Sequence, residues 1–325
     1  MKCICMIALV ALAFTSCKKT DEKVGSTFRA TIHDAEYEVV DGDRAYVSTD
    51  NKIQFEVGDV CMLFNISKST PSKSHCATYE ALEEGNTVTF QNCGLGELGG
   101  NKLDTYMAFY PGGPNCTQTQ LIDGENKAKF HITEVQKYRV DKVSLGDLFM
   151  CAVANNYDFD NAYFTFYNLC GILQLQPYEA AQRTVTSIEV VDNEFNLAGW
   201  VELILPEIDP LEMKALLDNY DPNNTDYMNS LDEYKDRVGY EMTDTSYSIL
   251  LNTAVEEFPD GVQLGPSKAT TPKFNIVLRP LALSHGCHII FCFSDGSVKD
   301  VDLSQYNLMI KSNVVKNLGL NLDAF

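Results

Sequence analysis

Apolar and polar residues alternate with a period of two along much of this chain, which is the pattern of strands with one buried face. The first runs are 27–33 and 36–40. Ile53, Phe55 and Val57 alternate next, Gly58-Asp59 breaks the run, and Val60, Met62, Phe64 and Ile66 resume it. These read as a hairpin or two sequential strands. Val88 with Phe90, 105–110, and Phe130 with Ile132 continue the rhythm. Turn residues at Asp41-Gly42-Asp43, 94–100, Pro111-Gly112-Gly113-Pro114 and Asp123-Gly124 punctuate it. Residues 145–154 predict a short helix or strand, and Asn155-Asn156-Tyr157-Asp158 a junction.

The second half opens at 163–176, where Phe164 and Phe166 share one face and Leu173 and Leu175 have the opposite parity. A bulge between Asn168 and Gly171 would restore a single face. Further strands are expected at 187–191, 201–205, 274–278, 287–293, 298–303 and 308–310, with Asp295-Gly296 as a hairpin turn. This spacing predicts an all-β chain of two β-sandwich domains, 45–157 and 158–325. Segment 207–244 departs from it, with eleven acidic residues against three basic. Asp209 and Pro210 suit a helix start, and Tyr227, Leu231, Tyr234 and Val238 recur at helical spacing. One or two short amphipathic helices are expected, either as a solvated face with a thin apolar seam or as a surface module for a partner or cation.

The amino end places the chain. Lys2, an apolar run over 4–14, then Thr15, Ser16 and Cys17 have the order of an export signal. The run is too short to cross a bilayer. Ending on cysteine is similar to a bacterial lipoprotein signal, in which Cys17 is acylated and becomes the first residue. An ordinary signal with an incidental Cys17 is the alternative. Residues 1–17 are thus read as signal, and 18–44 as a spacer with an N-terminal strand, a candidate propeptide.

A net charge of −20 argues against nucleic acid, whose phosphates require clustered Lys and Arg. Eight of the eleven cysteines lie beyond Cys17. Cys61, Cys151, Cys170 and Cys292 sit in apolar runs and read as small buried hydrophobes, whereas Cys76, Cys93 and Cys116 are the better bridge candidates. Candidate catalysis finds no nucleophile elbow, zinc-helix motif or phosphate loop, so no enzymatic activity and no cofactor are expected. His285, Cys287, His288 and Cys292 are the densest group of soft donors. On a strand they point to opposite faces and cannot share one ion. The acidic run 218–226 lacks the spacing of a calcium loop. No metal site is expected.

Several stretches taken in order resemble the fimbrillin family, lipoprotein pilins that build type V pili. They are Asp43-Arg44-Ala45, Phe55-Glu56-Val57-Gly58-Asp59-Val60, 106–112 (YMAFYPG), Gly146-Asp147-Leu148-Phe149-Met150, 166–175 (FYNLCGILQL), 274–280 (FNIVLRP) and 312–322. The resemblance implies two transthyretin-like β-sandwich domains. It also implies cleavage by an Arg-specific protease between Arg44 and Ala45, release of the N-terminal strand, and its replacement by a strand from another pilin subunit. Leu318, Leu320 and Leu322 alternate as a donor strand would, or as the last strand of the chain's own sandwich. Segment 207–244 departs from the simpler family pattern and leaves stalk and tip positions open. The expected role is a structural subunit of a cell-surface fimbria. The alternative is a permanently lipid-anchored surface protein of the same fold that binds a host or bacterial ligand, a glycan or protein, without polymerising.

Overall fold

The computed structural model describes residues 27–39, 53–65, 76–96, 106–112, 119–122, 127–140, 142–143, 148–154, 163–204, 239–283, 286–304, 306 and 308–325. Among these, the regular structure is β apart from a 3-10 turn at Leu322–Ala324. In chain order the strands are β1 (Thr27–Ile32), β2 (Glu36–Val39), β3 (Val60–Asn65), β4 (Cys76–Ala81), β5 (Thr87–Gly96), β6 (Tyr106–Tyr110), β7 (Thr119–Ile122), β8 (Lys127–Ile132), β9 (Val135–Lys137), β10 (Met150–Ala154) and β11 (Tyr163–Asn168). They continue as β12 (Gly171–Tyr178), β13 (Thr184–Asp192), β14 (Ala198–Ile204), β15 (Gly239–Ser246), β16 (Ser248–Asn252), β17 (Val262–Gln263), β18 (Phe274–Leu278), β19 (Leu281–Leu283), β20 (Cys287–Phe293), β21 (Val298–Asp302), β22 (Leu308–Ile310) and β23 (Val314–Asn321).

The first sheet closes on itself in the order β1-β11-β10-β6-β3-β4-β5. Strand β1 closes it by pairing antiparallel with β5 and parallel with β11. A sandwich expected here is therefore a closed barrel, because one strand near the amino end satisfies both free edges. Its interior is aromatic: Phe28, Phe55, Phe90, Phe164 and Phe166 are all buried. Phe55 makes edge contacts with Phe90, Tyr110 and Phe166 at 5.1 to 5.7 Å between centroids, a geometry that aromatic quadrupoles favour.

The remaining strands form a sheet in the order β18-β12-β23-β2, a larger one in the order β21-β20-β13-β16-β9 with β17 also paired to β13, a third in the order β15-β14-β8-β7, and the pair β19-β22. Sheet membership crosses the junction expected near residue 157 in both directions. Strand β11 completes the barrel, while β8 pairs with β14 and β9 with β16. The break at 169–170 is likewise not a bulge within one strand. Strand β11 ends at Asn168 and β12 starts in another sheet at Gly171. The parity switch marks a change of sheet, so each half keeps its own buried face. Asn168 Oδ1 accepts from Cys170 N at 3.0 Å and fixes the corner. A Cβ on Gly171 would lie 2.6 Å from Lys311 O, so only glycine permits this approach.

Residues 239–244, expected within the helical insertion, belong to β15, and 239–243 pair with β14. The helix-spaced Tyr227, Leu231, Tyr234 and Val238 lie outside the described residues, as does 218–226. The hairpin at Asp295-Gly296 forms as expected: Gly296 takes φ +81 and its amide donates to Phe293 O at 3.0 Å.

Candidate functional site: the N-terminal segment and its grooves

Arg44, Ala45 and Cys17 lie outside the described residues. Upstream of Arg44 the described chain ends at Val39, and residues 27–39 occupy two grooves in two different sheets.

The sequence TFRATI makes β1 a strand through its β-branched residues and its alternation. Phe28, Ala30 and Ile32 face the barrel interior, with Phe28 3%, Ala30 0% and Ile32 2% exposed. Opposite them on β5 stand Phe90 and Val88, and on β11 Phe164 and Phe166. The Phe28 ring stacks on Phe90 at 5.1 Å and meets Tyr79 at 5.0 Å and Phe164 at 4.8 Å. Burial of Phe28 and Ile32 together contributes roughly 3–6 kcal/mol by area. Asn86 ties off the end of the strand. Its Nδ2 donates to Ile32 O at 3.0 Å, and its Oδ1 accepts from the Thr31 hydroxyl at 2.9 Å.

Residues 33–35 carry the chain to the next sheet. His33 N donates to Phe166 O at 2.8 Å, and the imidazole stacks on Tyr167 at 4.8 Å. The turn before β23 receives the crossing: Asn313 Nδ2 donates to Asp34 O at 3.2 Å, and Glu36 N donates to Asn313 O at 2.9 Å.

Strand β2 then runs parallel to β23 at the edge of its sheet, with Tyr37 opposite Val315 and Glu38 opposite Lys316. Tyr37 packs against the hydrophobic core, and the strand adds polar contacts. The Tyr37 hydroxyl donates to Gln174 Oε1 at 2.8 Å. Glu38 takes Lys316 at 2.6 Å and Lys311 at 3.0 Å. Burial pushes the Tyr37 phenol up to about 12, so it remains a neutral donor at neutral pH. The hydrogen bond from Lys316, reinforced by Lys311, holds the Glu38 carboxyl below its usual range.

Leu318, Leu320 and Leu322 are buried, at 0%, 1% and 1% exposed. Strand β23 lies between β12 and β2 and is parallel to both. Leu318 and Leu320 pair with Leu175 and Pro177 of β12, and Leu322 lies in the 3-10 turn that follows β23. Sequence reasoning missed the partners of Tyr37 and Glu38. The only signal was the alternation of Gln174 and Gln176 with leucines in an otherwise apolar strand.

The other sequence candidates do not converge. Cys287 faces the buried side of β20 and His288 and Cys292 the other side, and His288 Nδ1 sits 3.0 Å from Asp300 Oδ1. His285 lies outside the described residues. Cys93, expected as a bridge candidate, is a free thiol whose Sγ contacts Thr78 Oγ1 at 3.2 Å, and Cys76, the other described candidate, is half-buried at the start of β4. Cys61, Cys287 and Cys292 are also free. Cys116 lies outside the described residues.

Comparison with family profiles and with curated proteins finds no match. Among solved structures, a candidate cell adhesion protein from Bacteroides uniformis aligns over 88% of this chain and 92% of its own, at 11% identity and a TM-score of 0.50. A second candidate cell adhesion protein, from Bacteroides ovatus, aligns over 90% and 92% at 10% identity and a TM-score of 0.45. A fimbrial protein from Bacteroides ovatus aligns over 91% of this chain and 49% of its own, at 12% identity and a TM-score of 0.41. The chain shares the fold of the Bacteroides uniformis protein.

Proposed function

We propose that this chain is a cell-surface subunit for adhesion and fimbrial assembly. It is exported as an outer-membrane lipoprotein acylated at Cys17 and joined to other pilin subunits by strand exchange after cleavage between Arg44 and Ala45. On this reading the barrel and the C-terminal sheets correspond to the family's two transthyretin-like domains, and the role is structural, without catalysis. Whether stalk or tip, its partners are pilin subunits, with a host or bacterial surface ligand at an exposed position.

The observation that carries the reading is the position of β1. It lies upstream of Arg44, is hydrogen-bonded on both edges, and buries three side chains in the barrel. Once Arg44 is cut, only non-covalent contacts retain it. Its departure opens a slot one strand wide, with unpaired edges on β5 and β11 and a floor that includes Tyr79, Phe90, Phe164 and Phe166. An incoming strand would regain both ladders by β-augmentation. Because donor and acceptor surfaces differ, the contact is heterologous and propagates.

The closed barrel equally suits the second reading, a permanently anchored adhesin, since it is complete without a partner. Gels of surface extracts run with and without boiling separate the two. The assembly reading expects a boiling-sensitive ladder that Arg44→Ala abolishes. A ladder that survives this substitution, or a monomer in both lanes, would overturn it.

A further inference from the structure

Behind β2, a row of amides crosses its sheet. Gln174 is 0% and Asn317 1% exposed, so their orientations are set by one another rather than by water. Asn275 Nδ2 donates to the backbone carbonyl of Lys142 at 3.2 Å, which obliges Asn275 to turn its oxygen toward Gln174. Gln174 therefore spends its Nε2 on Asn275 Oδ1, at 2.9 Å. From the other side, Gln176 Nε2 donates to Lys268 O at 3.3 Å, so Gln176 presents its oxygen to Asn317. Asn317 Nδ2 then bridges Gln176 Oε1 at 2.8 Å and Gln174 Oε1 at 2.9 Å. Two backbone carbonyls thus fix the polarity of the whole row, since a carbonyl can only accept. The row ends with Gln174 Oε1 directed at β2. That position accepts a hydrogen bond and cannot flip to donate one without breaking the chain of bonds behind it. Tyr37 supplies the donor.

The next residue of β2 is read on the opposite face. Glu38 lies between Lys316, whose side chain is 14% exposed, and Lys311. An apolar residue there would leave the Lys316 ammonium largely buried without its carboxylate, which is costly.

We infer that the edge of β23 selects its strand by a hydroxyl donor followed directly by a carboxylate, and that the strand replacing β2 after cleavage comes from a neighbouring subunit carrying this pair. The inference rests on the strand-exchange reading above and adds to it the chemistry of the partner. Segment 318–323 contains no hydroxyl–carboxylate pair, so in place of β2 it would leave Gln174 Oε1 with Asn317 as its single donor and Lys316 without its acid; the strand that fits is a different segment.

The test uses the full chain nicked at Arg44 by limited digestion with an arginine-specific protease. Fluorescent peptides of residues 27–39 are added: the native sequence, Tyr37→Phe, Glu38→Gln, and Phe28→Ala as a probe of the barrel groove alone. Peptide variants avoid any effect on folding of the body. The native peptide is expected to bind, and Tyr37→Phe and Glu38→Gln each to weaken binding about five- to tenfold, as loss of one buried hydrogen bond or ion pair predicts. On a nicked Lys316→Met chain, the Glu38→Gln penalty should largely vanish. Native, Tyr37→Phe and Glu38→Gln peptides binding within twofold of one another would overturn this inference and leave strand replacement standing. Failure of every peptide to bind would overturn strand replacement, and this inference with it.

Discussion

Strands β1 and β2 are separated by three residues, yet they are held by opposite means. Strand β1 is inserted between two neighbours and buries aromatic and aliphatic side chains in the barrel. Strand β2 has one neighbour and is fixed by a phenol, a carboxylate and two lysines. Apolar burial is large and non-directional, so the β1 groove accepts any strand of fitting volume. Hydrogen bonds and ion pairs contribute less net free energy but penalise a wrong partner by the desolvation of whatever is left unpaired. The barrel thus supplies most of the retention of this segment, and the sheet edge most of its discrimination.

That division can be broken first at β1. Phe28→Ala removes a ring touching Tyr79, Phe90 and Phe164. It should cost about 3–5 kcal/mol, read as a fall in the urea midpoint of the intact chain. A change under about 1 kcal/mol would mean that β1 does not seal the barrel.

At β2 the effects are smaller and depend on pH. Glu38→Gln should cost about 1 kcal/mol at neutral pH, discounted because the side chain is partly solvated. The folded-state pKa of Glu38 is lowered from an ordinary 4.5, so its contribution is complete above that value and disappears as pH falls through the folded pKa. Wild type and variant should therefore converge in stability in acid, and parallel curves would contradict the ion pair. Tyr37→Phe should cost about 0.5–1.5 kcal/mol. It should also remove one phenol titrating near 12, seen as a lost step in the alkaline absorbance titration. The Tyr37 contribution is present below pH 10 and declines as pH rises from there toward 12. A wild-type titration with every tyrosine at the ordinary value would refute the burial of this hydroxyl.

Much of the strand map was legible because alternation is a local property. The runs that became β1, β3, β13, β18 and β20 show it directly. Pairing is not local, and that is where the sequence reading went astray. Nothing within 163–168 says that β11 completes the barrel rather than opening the next sheet, because both partners ask for the same apolar face. Strand β4 was missed because its CATYEA sequence is buried at consecutive positions rather than alternately. The parity switch after Asn168 was visible but fitted a bulge as well as a change of sheet. At the candidate site, the alternation of β1 was readable, and the turn expected before Arg44 lies outside the described residues. The acceptor at Gln174 was not, since its direction depends on two carbonyls contributed by residues 142 and 268.

The central claim is that the segment carrying β1 and β2 is removable. Amino-terminal sequencing of the protein released from the cell surface in assembled form tests it most directly. The account predicts a chain beginning at Ala45, with Cys17, its lipid and both strands gone. Assembled protein that begins at an acylated Cys17 would contradict it.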